Sequence, residues 1–362
     1  RSVSIMKLDK ELPSVQLSLG QCLDITTDVK EMAWHPKSLY QQTVDIAGYC
    51  PVAISLGGGY PEMISRRSLP SWDYMEKWQA TALLGLIEEN DYDAVFTHLH
   101  SIDHIGHSCW RWAKTRACYG NNDEKVYQGF LEEIYLQADD YVSRLMPLLD
   151  KGWTLIITSD HAQVCPTYGL RGLGDTGCNV SLMSELGFTV MTTDEKGNPT
   201  IDWSKTKAVA NREMYIYLNL KGRSDHGIVD PEDQFELEEE IMTALYAYKD
   251  KNTGHRVVAV ALRNRDAVLL GQGGPEAGDI ICWHAEGYNF DHADCLSTTL
   301  GESDTSVSPI FIAAGKGLKT GFVTERIIRQ IDFAPTVAVL GGVRMPAQCE
   351  GAPVYQILAE EF

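Results

Sequence analysis

Apolar side chains recur along the chain at intervals that are typical of helices in some segments and of buried strands in others. Over Val126–Leu149, residues such as Ile134, Ala138 and Val142 follow one another at spacings of three or four, which places them on one helix face. A second helix is predicted over Trp72–Glu89. Ser71 is its expected N-cap, because a hydroxyl there can accept a hydrogen bond from the first turn.

Short apolar runs lie next to these helices and predict strands. Ala94–Leu99 follows the helix predicted over Trp72–Glu89, and Trp153–Thr158 follows Gly152, at which the helix predicted over Val126–Leu149 ends. Strands that alternate with helices form β-α-β units. The pattern therefore predicts an α/β fold with a mainly parallel sheet that helices flank on both faces.

The middle of the chain has a different composition, rich in Gly, Asp, Asn and Thr. It contains predicted strands near Lys207–Leu220 and Arg256–Leu262 and an acidic helix near Pro231–Tyr248. Afterwards the core pattern is expected to resume with the strands Asp279–Trp283 and Pro309–Ala314 and a helix near Ala334–Leu340. We therefore expect residues 1–164 to form the first part of the core, 165–285 an inserted α+β cap or substrate region, and 286–362 the remainder of the core.

The strongest chemical signal follows the predicted strand Ala94–Leu99. The run His98-Leu-His100-Ser-Ile-Asp103-His104-Ile-Gly106-His107 holds four histidines and one aspartate. Asp103 and His107 are four residues apart, so a helical turn puts both on one face. Carboxylate and imidazole groups at that spacing can hold a metal ion together.

Two more groups of Asp and His residues follow predicted strands. Ser159-Asp160-His161 ends the run Leu155-Ile-Ile157, and Asp291-His292 precedes the strand Pro309–Ala314. Ligand sites in open α/β sheets gather at the carboxyl ends of strands. We therefore predict Asp103, His107, Asp160, His161 and His292 as metal ligands. His98, His100 and His104 are predicted either to orient those ligands or to line the pocket.

Composition and charge exclude several classes of protein. The net charge is −19, from 31 basic and 50 acidic residues, and no Lys/Arg run is interleaved with aromatic residues. Duplex nucleic acid is therefore not expected as a partner. No apolar run is long enough to span a bilayer, so no membrane partner is expected. The nine cysteines lack a Cys-x-x-Cys spacing and fit free thiols in a reducing, cytoplasmic compartment.

The order of these motifs resembles the alkaline phosphatase superfamily, and most closely its type I phosphodiesterase/nucleotide pyrophosphatase branch. The motifs are the Asp103-x-x-Gly-His107 run, the Ser-Asp160-His161 strand end, a late His292 before Pro309-Ile-Phe-Ile-Ala-Ala-Gly, and the tail Ile331-Asp332-Phe-Ala-Pro-Thr336. The resemblance runs from about residue 70 to the end. It implies an alkaline phosphatase-like core and two divalent metal ions. Asp103, His107 and His292 would hold one ion, and Asp160 and His161 would help to hold the other.

The resemblance also implies a small phosphorylated substrate, hydrolysed by a two-metal in-line displacement at a phosphodiester or nucleotide pyrophosphate bond. Zinc is the first choice of metal because Asp/His ligation suits it, and manganese is the alternative. Other activities of the same fold stay open, namely phosphonate hydrolase, phosphomonoesterase and a phosphoglycerate-mutase-like reaction. A non-catalytic metal-binding relative is the alternative from another class.

The catalytic nucleophile that the family requires is not located by its motif. The nearest run, Asp24-Ile-Thr26-Thr27-Asp28, lacks a preceding apolar strand. The sequence begins at Arg1 rather than at Met, and the nucleophile segment is expected upstream. The catalytic residues of the predicted hydrolase are therefore unknown at this stage.

Overall fold

Helices and short sheets make up the part of the chain that the structure, a computed structural model, describes. The described residues are 3–8, 15–19, 34–51, 60–110, 124–163, 180–210, 215–251, 253–285, 305–306 and 309–360. Two compact units divide the chain. The first comprises Arg1–Cys109, Asp123–Asp160 and Pro309–Phe362, and the second comprises Trp110–Asn122 and His161–Ser308.

Helices dominate the first unit. Those we label are α1 (Ser38–Ala47), α2 (Leu69–Glu89), α3 (Ser101–Cys109), α4 (Glu124–Leu145), α5 (Pro147–Asp150) and α9 (Phe333–Leu340). A short helical turn Pro61–Met63 and a π-helical segment Ile64–Ser68 lead into α2. Helix α2 packs against α1 and α4, and α4 packs against α3. The two helices predicted from apolar spacing are therefore confirmed, with shifted ends.

Helix α2 shows why the predicted start was wrong. It begins at Leu69, directly after the π-helical segment, and the Ser71 hydroxyl donates to the Ser68 carbonyl oxygen at 3.0 Å. Ser71 is thus inside the helix and does not cap it. Residues at four-residue intervals, Trp72, Glu76 and Ala80, are buried. Ala80 packs in a cluster with Tyr141 and Leu145 of α4, so this stripe is the inner face of α2.

The strands of the first unit that are described pair antiparallel. They are β1 (Val3–Leu8) with β2 (Val15–Leu19), and β3 (Thr154–Thr158) with β12 (Phe311–Gly315). The predicted strand over 153–158 is thus confirmed as β3, but its partner runs in the opposite direction. The predicted mainly parallel sheet is not seen among the described residues. The α/β character of the prediction stands, with helices and sheets in the same units.

The segment Ala94–Leu99 has no regular secondary structure, contrary to the strand predicted there. The run is largely apolar, but the side chain of Phe96 is 78% exposed. A strand needs a neighbour for its backbone hydrogen bonds. The described residues provide no ladder partner for this segment. The segment nevertheless leads directly into α3, as the sequence pattern requires.

The second unit is built around a four-stranded antiparallel sheet. Its strands are β7 (Ala208–Ala210), β8 (Tyr215–Leu218), β9 (Val258–Arg263) and β10 (Ile280–His284), in the order β7-β8-β10-β9. Helix α7 (Gln234–Ala247) packs against β9. Buried residues of both, including Ile241, Leu245 and Val258, belong to one apolar core.

Smaller elements complete the second unit. They are β4 (Ala162–Gln163) paired with β11 (Thr305–Ser306), helix α6 (Val180–Glu185), the hairpin β5 (Met191–Thr193) with β6 (Pro199–Ile201), and helix α8 (Asn264–Ala267). The expectation that Asp279–Trp283 belongs to the first core was wrong, because β10 pairs with β8 and β9 within the second unit. A short apolar run of this kind does not reveal which sheet it joins.

Four cysteines in the described part carry free thiols. Cys109 at the end of α3 and Cys282 in β10 are fully buried, one in each unit. Burial raises the pKa of the Cys109 thiol to about 12 and raises the pKa of Cys282 as well. None of the helices in the described part combines the length and the apolar character needed to cross a bilayer.

Candidate metal centre

Helix α3 presents the predicted ligands because its two faces differ. Ser101, Ile105 and Cys109 are buried at intervals of four, so they form the face that packs inward. Asp103 and His107 lie on another face, one helical turn apart, and are only partly buried. Asp103 falls in the first turn of α3, where the positive end of the helix dipole stabilises a carboxylate.

The carboxylate of Asp103 contacts two imidazoles. The Oδ1 atom lies 3.1 Å from His107 Nε2, and the Oδ2 atom lies 2.8 Å from His100 Nε2. The side chain of His100 is half exposed, whereas that of His107 is mostly buried. The carboxylate is therefore held between the two rings. Asp103 reaches His107 because the two residues are four apart on one helical turn. It reaches His100 because His100 lies just before the helix.

His161 completes a group of three potential ligands. One ligand atom from each of Asp103, His107 and His161 lies within 4.8 Å of the other two. His161 directly follows Asp160, at the end of the segment that contains β3, and its Nδ1 lies 3.3 Å from the Ala162 carbonyl oxygen. When Nδ1 donates this hydrogen bond, Nε2 carries the lone pair that can bind a cation. These are three of the five predicted ligands.

The strand end that carries Asp160 is held by a residue that the sequence analysis did not single out. The Gln330 amide donates to the carbonyl oxygens of Ser159 and Asp160, at 3.1 and 2.7 Å. The Asp160 carboxylate accepts a hydrogen bond from the Ser159 hydroxyl at 3.3 Å. Asp160 is exposed and does not belong to the group of three. The structure thus places Asp160 beside His161 in the chain but not among the converging ligand atoms.

The other three histidines of the run make different contacts. The ring of His104 packs against Trp72 at 5.8 Å between centroids, and the ring of His98 lies 5.2 Å from that of His100. Nε2 of His100 contacts the predicted ligand Asp103. Its position fits the predicted role of orienting Asp103.

Two predicted elements fall outside the described residues. One is His292, the fifth expected ligand, together with its neighbour Asp291. The other is the run Asp24-Ile-Thr26-Thr27-Asp28, which the sequence analysis compared with the missing nucleophile. Both stay predictions from the sequence.

Six Arg and Tyr residues over 165–285 have side chains suited to contact a phosphorylated substrate, and the three that the structure describes have structural partners. The Arg223 guanidinium forms a two-pronged ion pair with Asp279, at 2.7 and 2.6 Å. The hydroxyl of Tyr215 donates to Gln272, and that of Tyr217 donates to the Glu276 carbonyl oxygen. These bonds tie β8 and the turn after it to the segment before β10. Arg171, Arg212 and Tyr168 lie outside the described residues.

Sequence reasoning also missed Glu76, a carboxylate on the inner face of α2. Its carboxyl group accepts a hydrogen bond from the Ser101 hydroxyl, at the first residue of α3. A signal was present in the sequence, since Trp72, Glu76 and Ala80 share one helical stripe and the middle member is charged. No comparable signal marks Gln330, because its role depends on a contact with residues 171 and 170 positions away.

A cavity of about 450 Å³ occurs elsewhere in the first unit. It is lined by residues from the end of α2 and the segment after it, from α4 and α5, and from the segment before β3, among them Glu88, Asp91, Arg144 and Lys151. Trp153, at its wall, precedes β3, whereas Asp160 and His161 follow it. The cavity is thus at the other end of the strand from the Asp/His group. Its two acidic and two basic side chains do not favour one ligand chemistry.

The donor set Asp103, His107 and His161 fits a divalent cation. One carboxylate and two imidazoles are the ligands of several catalytic zinc sites, which leave a fourth position for water or substrate. The ligand atoms already converge within 4.8 Å. Such a set, placed at a helix and a strand end of an α/β chain, is a kind of ligand group that metal-dependent hydrolases use.

Comparison with known families agrees with this class. Residues 26–165 match the family described as type I phosphodiesterase / nucleotide pyrophosphatase, a member of the alkaline phosphatase superfamily. This confirms the resemblance predicted from the motifs, and the matched segment contains Asp103, His107, Asp160 and His161. The match supports a phosphoester hydrolase. Searches of curated proteins and of solved structures found no significant match.

Proposed function

We propose that the protein is a metal-dependent hydrolase of phosphate esters that acts on phosphodiester or nucleotide pyrophosphate bonds in a small phosphorylated substrate. The observation that carries the proposal is the convergence of Asp103, His107 and His161 within a segment that matches the phosphodiesterase family. A solitary Asp/His group would be weaker support, because such groups also occur without a metal. The family match adds the expectation that this Asp/His group serves phosphoester hydrolysis.

The proposed centre holds two divalent cations, with zinc as the first choice and manganese as the alternative. Asp103, His107 and His292 are assigned to one ion, and Asp160 and His161 help to hold the other. Paired catalytic metals lie about 4 Å apart. At that separation a ligand of the second ion comes close to ligands of the first. The position of His161 beside Asp103 and His107 is therefore compatible with this division.

The bound cations would supply charge neutralisation for the phosphoryl oxygens and for the attacking oxygen. The chain's own residues have a different task, which is to hold the ligands in place. His100 contacts Asp103 Oδ2 and orients the carboxylate. Gln330 fixes the backbone at Ser159 and Asp160, which limits the positions that Asp160 and His161 can take.

The proposal includes the alkaline phosphatase-like arrangement, in which a mainly parallel core sheet is interrupted by an α+β cap over 165–285. Substrate choice would then belong to the inserted region, because the core motifs supply only the metal chemistry. The Arg223–Asp279 pair and the tyrosine hydrogen bonds give that region a fixed internal structure. Its contacts to the substrate are therefore to be sought on residues other than Arg223, Tyr215 and Tyr217.

The first prediction concerns metal binding, measured as the affinity and stoichiometry for Zn²⁺ alone by competition with a chromogenic chelator. Asp103→Ala is expected to weaken binding by more than about 100-fold, because it removes a ligand, and even residues that orient ligands cost about 10–100-fold. Asp160→Ala is expected to lower the stoichiometry from two ions towards one. Asp139→Ala, which removes an exposed carboxylate of α4, is the matched control and should leave both quantities unchanged.

The same variants test the activity. Hydrolysis of bis-p-nitrophenyl phosphate should depend on added Zn²⁺ or Mn²⁺ and be lost in Asp103→Ala but not in Asp139→Ala. Faster turnover of p-nitrophenyl phosphate or of a phosphonate ester would move the assignment to the alternative activities of this fold. Full metal binding with no turnover of any of these esters would overturn the enzyme proposal and favour a non-catalytic metal-binding relative.

A further inference from the structure

Glu76 is unusual because a carboxyl group lies deep in the interface between helices. Its residue is only 3% exposed, and it occupies the inner stripe of α2 between Trp72 and Ala80. The Oε1 atom accepts the Ser101 hydroxyl, while Oε2 is buried and has no hydrogen-bond partner among the described residues. Burying a carboxyl group costs free energy that an apolar side chain at this position would not cost. Packing alone therefore does not explain a glutamate here.

The one hydrogen bond that Glu76 makes reaches the metal-binding helix. Ser101 is the first residue of α3 and is fully buried, and Asp103 follows it by two residues within the same turn. A bond to Ser101 therefore acts on the turn from which Asp103 projects.

Other polar contacts hold the segment that leads into this turn. The Gln79 amide donates to the Thr97 hydroxyl and to the His98 carbonyl oxygen, both at 2.8 Å. The Thr97 and Tyr141 hydroxyls lie 2.7 Å apart. Side chains of α2 and α4 thus fix residues 97 and 98, and Glu76 fixes residue 101. The hydrogen bonds at residues 97, 98 and 101 together fix the position of the start of α3.

The surroundings of Glu76 favour its uncharged form. Burial is the main cause that raises its pKa, to about 7; the Ser101 hydrogen bond and Lys77 lower it, and the carboxylates of Asp73 and Asp140 raise it. Asp73 and Lys77 belong to α2, and Asp140 belongs to α4. A neutral carboxyl group can accept the Ser101 hydroxyl at Oε1 and keep its proton on Oε2.

We propose that Glu76 is a positioning residue for the metal centre, because through Ser101 it fixes the first turn of α3 and hence the geometry in which Asp103 and His107 bind a cation. The inference rests on the proposed function, since it presupposes that these two residues are metal ligands. Glu76 touches neither the cation nor the substrate. It acts through the backbone of α3.

The test uses the full chain and the affinity for Zn²⁺ alone. Ser101→Ala and Glu76→Leu are each expected to weaken Zn²⁺ binding by about 10–100-fold, the range typical of groups that orient ligands. Glu76→Gln retains an acceptor for Ser101 without a charge, so it should restore binding to within about threefold of the wild type, by the same bond. In the double variant Ser101→Ala/Glu76→Leu the losses should not add, because both changes remove one interaction.

A matched control separates positioning from stability. Glu238 is a buried glutamate of α7 in the second unit and pairs with Arg263. Glu238→Gln should lower thermal stability without changing Zn²⁺ affinity. If Glu76→Leu does not fold, Ser101→Ala and Glu76→Gln still test the contact, because each alters only one polar group.

The outcomes distinguish this inference from the metal centre itself. Weakened binding in Asp103→Ala together with wild-type affinity in Ser101→Ala would overturn the role of Glu76 and leave the metal centre standing. Loss of affinity in Glu76→Gln equal to that in Glu76→Leu would also overturn it, because the retained acceptor would then have no effect. Absence of Zn²⁺ binding in the wild type would overturn both proposals.

Discussion

Asp332 shows how a single carboxylate can organise a segment of the chain. It is fully buried at the start of α9, and its Oδ1 atom accepts hydrogen bonds from the Ala352 amide at 2.9 Å and the Arg329 guanidinium at 3.1 Å. Its Oδ2 atom accepts the Arg329 amide. The Thr336 hydroxyl donates to the Asp332 carbonyl oxygen and accepts the Val354 amide. The tail motif is therefore a structural junction within the first unit.

These bonds give Asp332→Asn a defined effect. Burial by itself would raise the pKa of Asp332, but the hydrogen bonds from Ala352 and Arg329 outweigh it and the pKa is lowered. A depressed pKa stabilises the fold above the unfolded value, about 4, and this contribution is lost as the pH falls through the folded value. In urea unfolding at pH 7, Asp332→Asn should cost about 1–3 kcal/mol.

The difference between wild type and Asp332→Asn should shrink below about pH 4, where Asp332 takes up a proton. Asp139→Asn, on the exposed face of α4, serves as the reference and should unfold like the wild type at both pH values. A pH-independent difference would contradict the ionic origin of the effect.

At the level of residues, the sequence predicted the converging Asp and His side chains better than the groups that hold them in place. Asp103 and His107 were found because their spacing of four matches one helical turn. Glu76, Ser101 and Gln330 act across contacts between separate elements. Spacing within one element carries no information about such contacts, so these residues became visible only in three dimensions.

Among the elements, the pair β3–β12 depends on a close backbone approach at one glycine. Gly315 faces Thr154 in the ladder and has a φ of 127°. A Cβ atom at this position would lie 2.5 Å from the Trp153 carbonyl oxygen and 2.8 Å from the Thr154 Cα atom. Neither backbone atom can move away independently of the strand. The start of β3 therefore requires glycine opposite it.

Gly315→Ala is expected to lower the free energy of unfolding by about 2–4 kcal/mol, from the positive φ and the overlap together. Gly152→Ala isolates the first cause, because Gly152 also has a positive φ, of 89°, but open space around its Cβ position. It should cost about 1 kcal/mol. Chemical denaturation measures both. If both variants lose the same free energy of unfolding, the close approach of residue 315 to the backbone of residues 153 and 154 does not contribute to stability.

The elements also show where local patterns fail. Helices α2 and α4 were predicted from apolar spacing because a helix satisfies its backbone within one segment. Strands need a partner from another part of the chain. The run Ala94–Leu99 therefore had the expected pattern without a ladder, and Asp279–Trp283 was assigned to the wrong sheet. Apolar runs indicate which segments favour an extended conformation but not the strand with which each segment pairs.

The whole molecule contains two compact units with separate buried cores. We expect each to unfold as its own cooperative transition in calorimetry. A ligand stabilises only the state that binds it, by about 2.7 kcal/mol at a concentration of one hundred times its Kd. Zn²⁺ should therefore raise the transition of the unit that contains Asp103 and His107.

The assignment of the two transitions can be checked with variants of each unit. Asp103→Ala should abolish the shift caused by Zn²⁺, while Glu238→Gln should lower the other transition and leave the shift intact. If Zn²⁺ does not raise the transition of the first unit, a metal centre that contains Asp103 and His107 is contradicted.

The two fully buried thiols have a practical consequence for following these units. A thiol reacts as its thiolate, and both Cys109 and Cys282 are inaccessible and hold their protons strongly. Each becomes reactive only when its surroundings open. Cys109 belongs to one unit and Cys282 to the other. The alkylation rate of each thiol in the native protein therefore measures how often the unit that contains it opens. The two buried cysteines are thus built-in chemical probes of local unfolding, one in each unit.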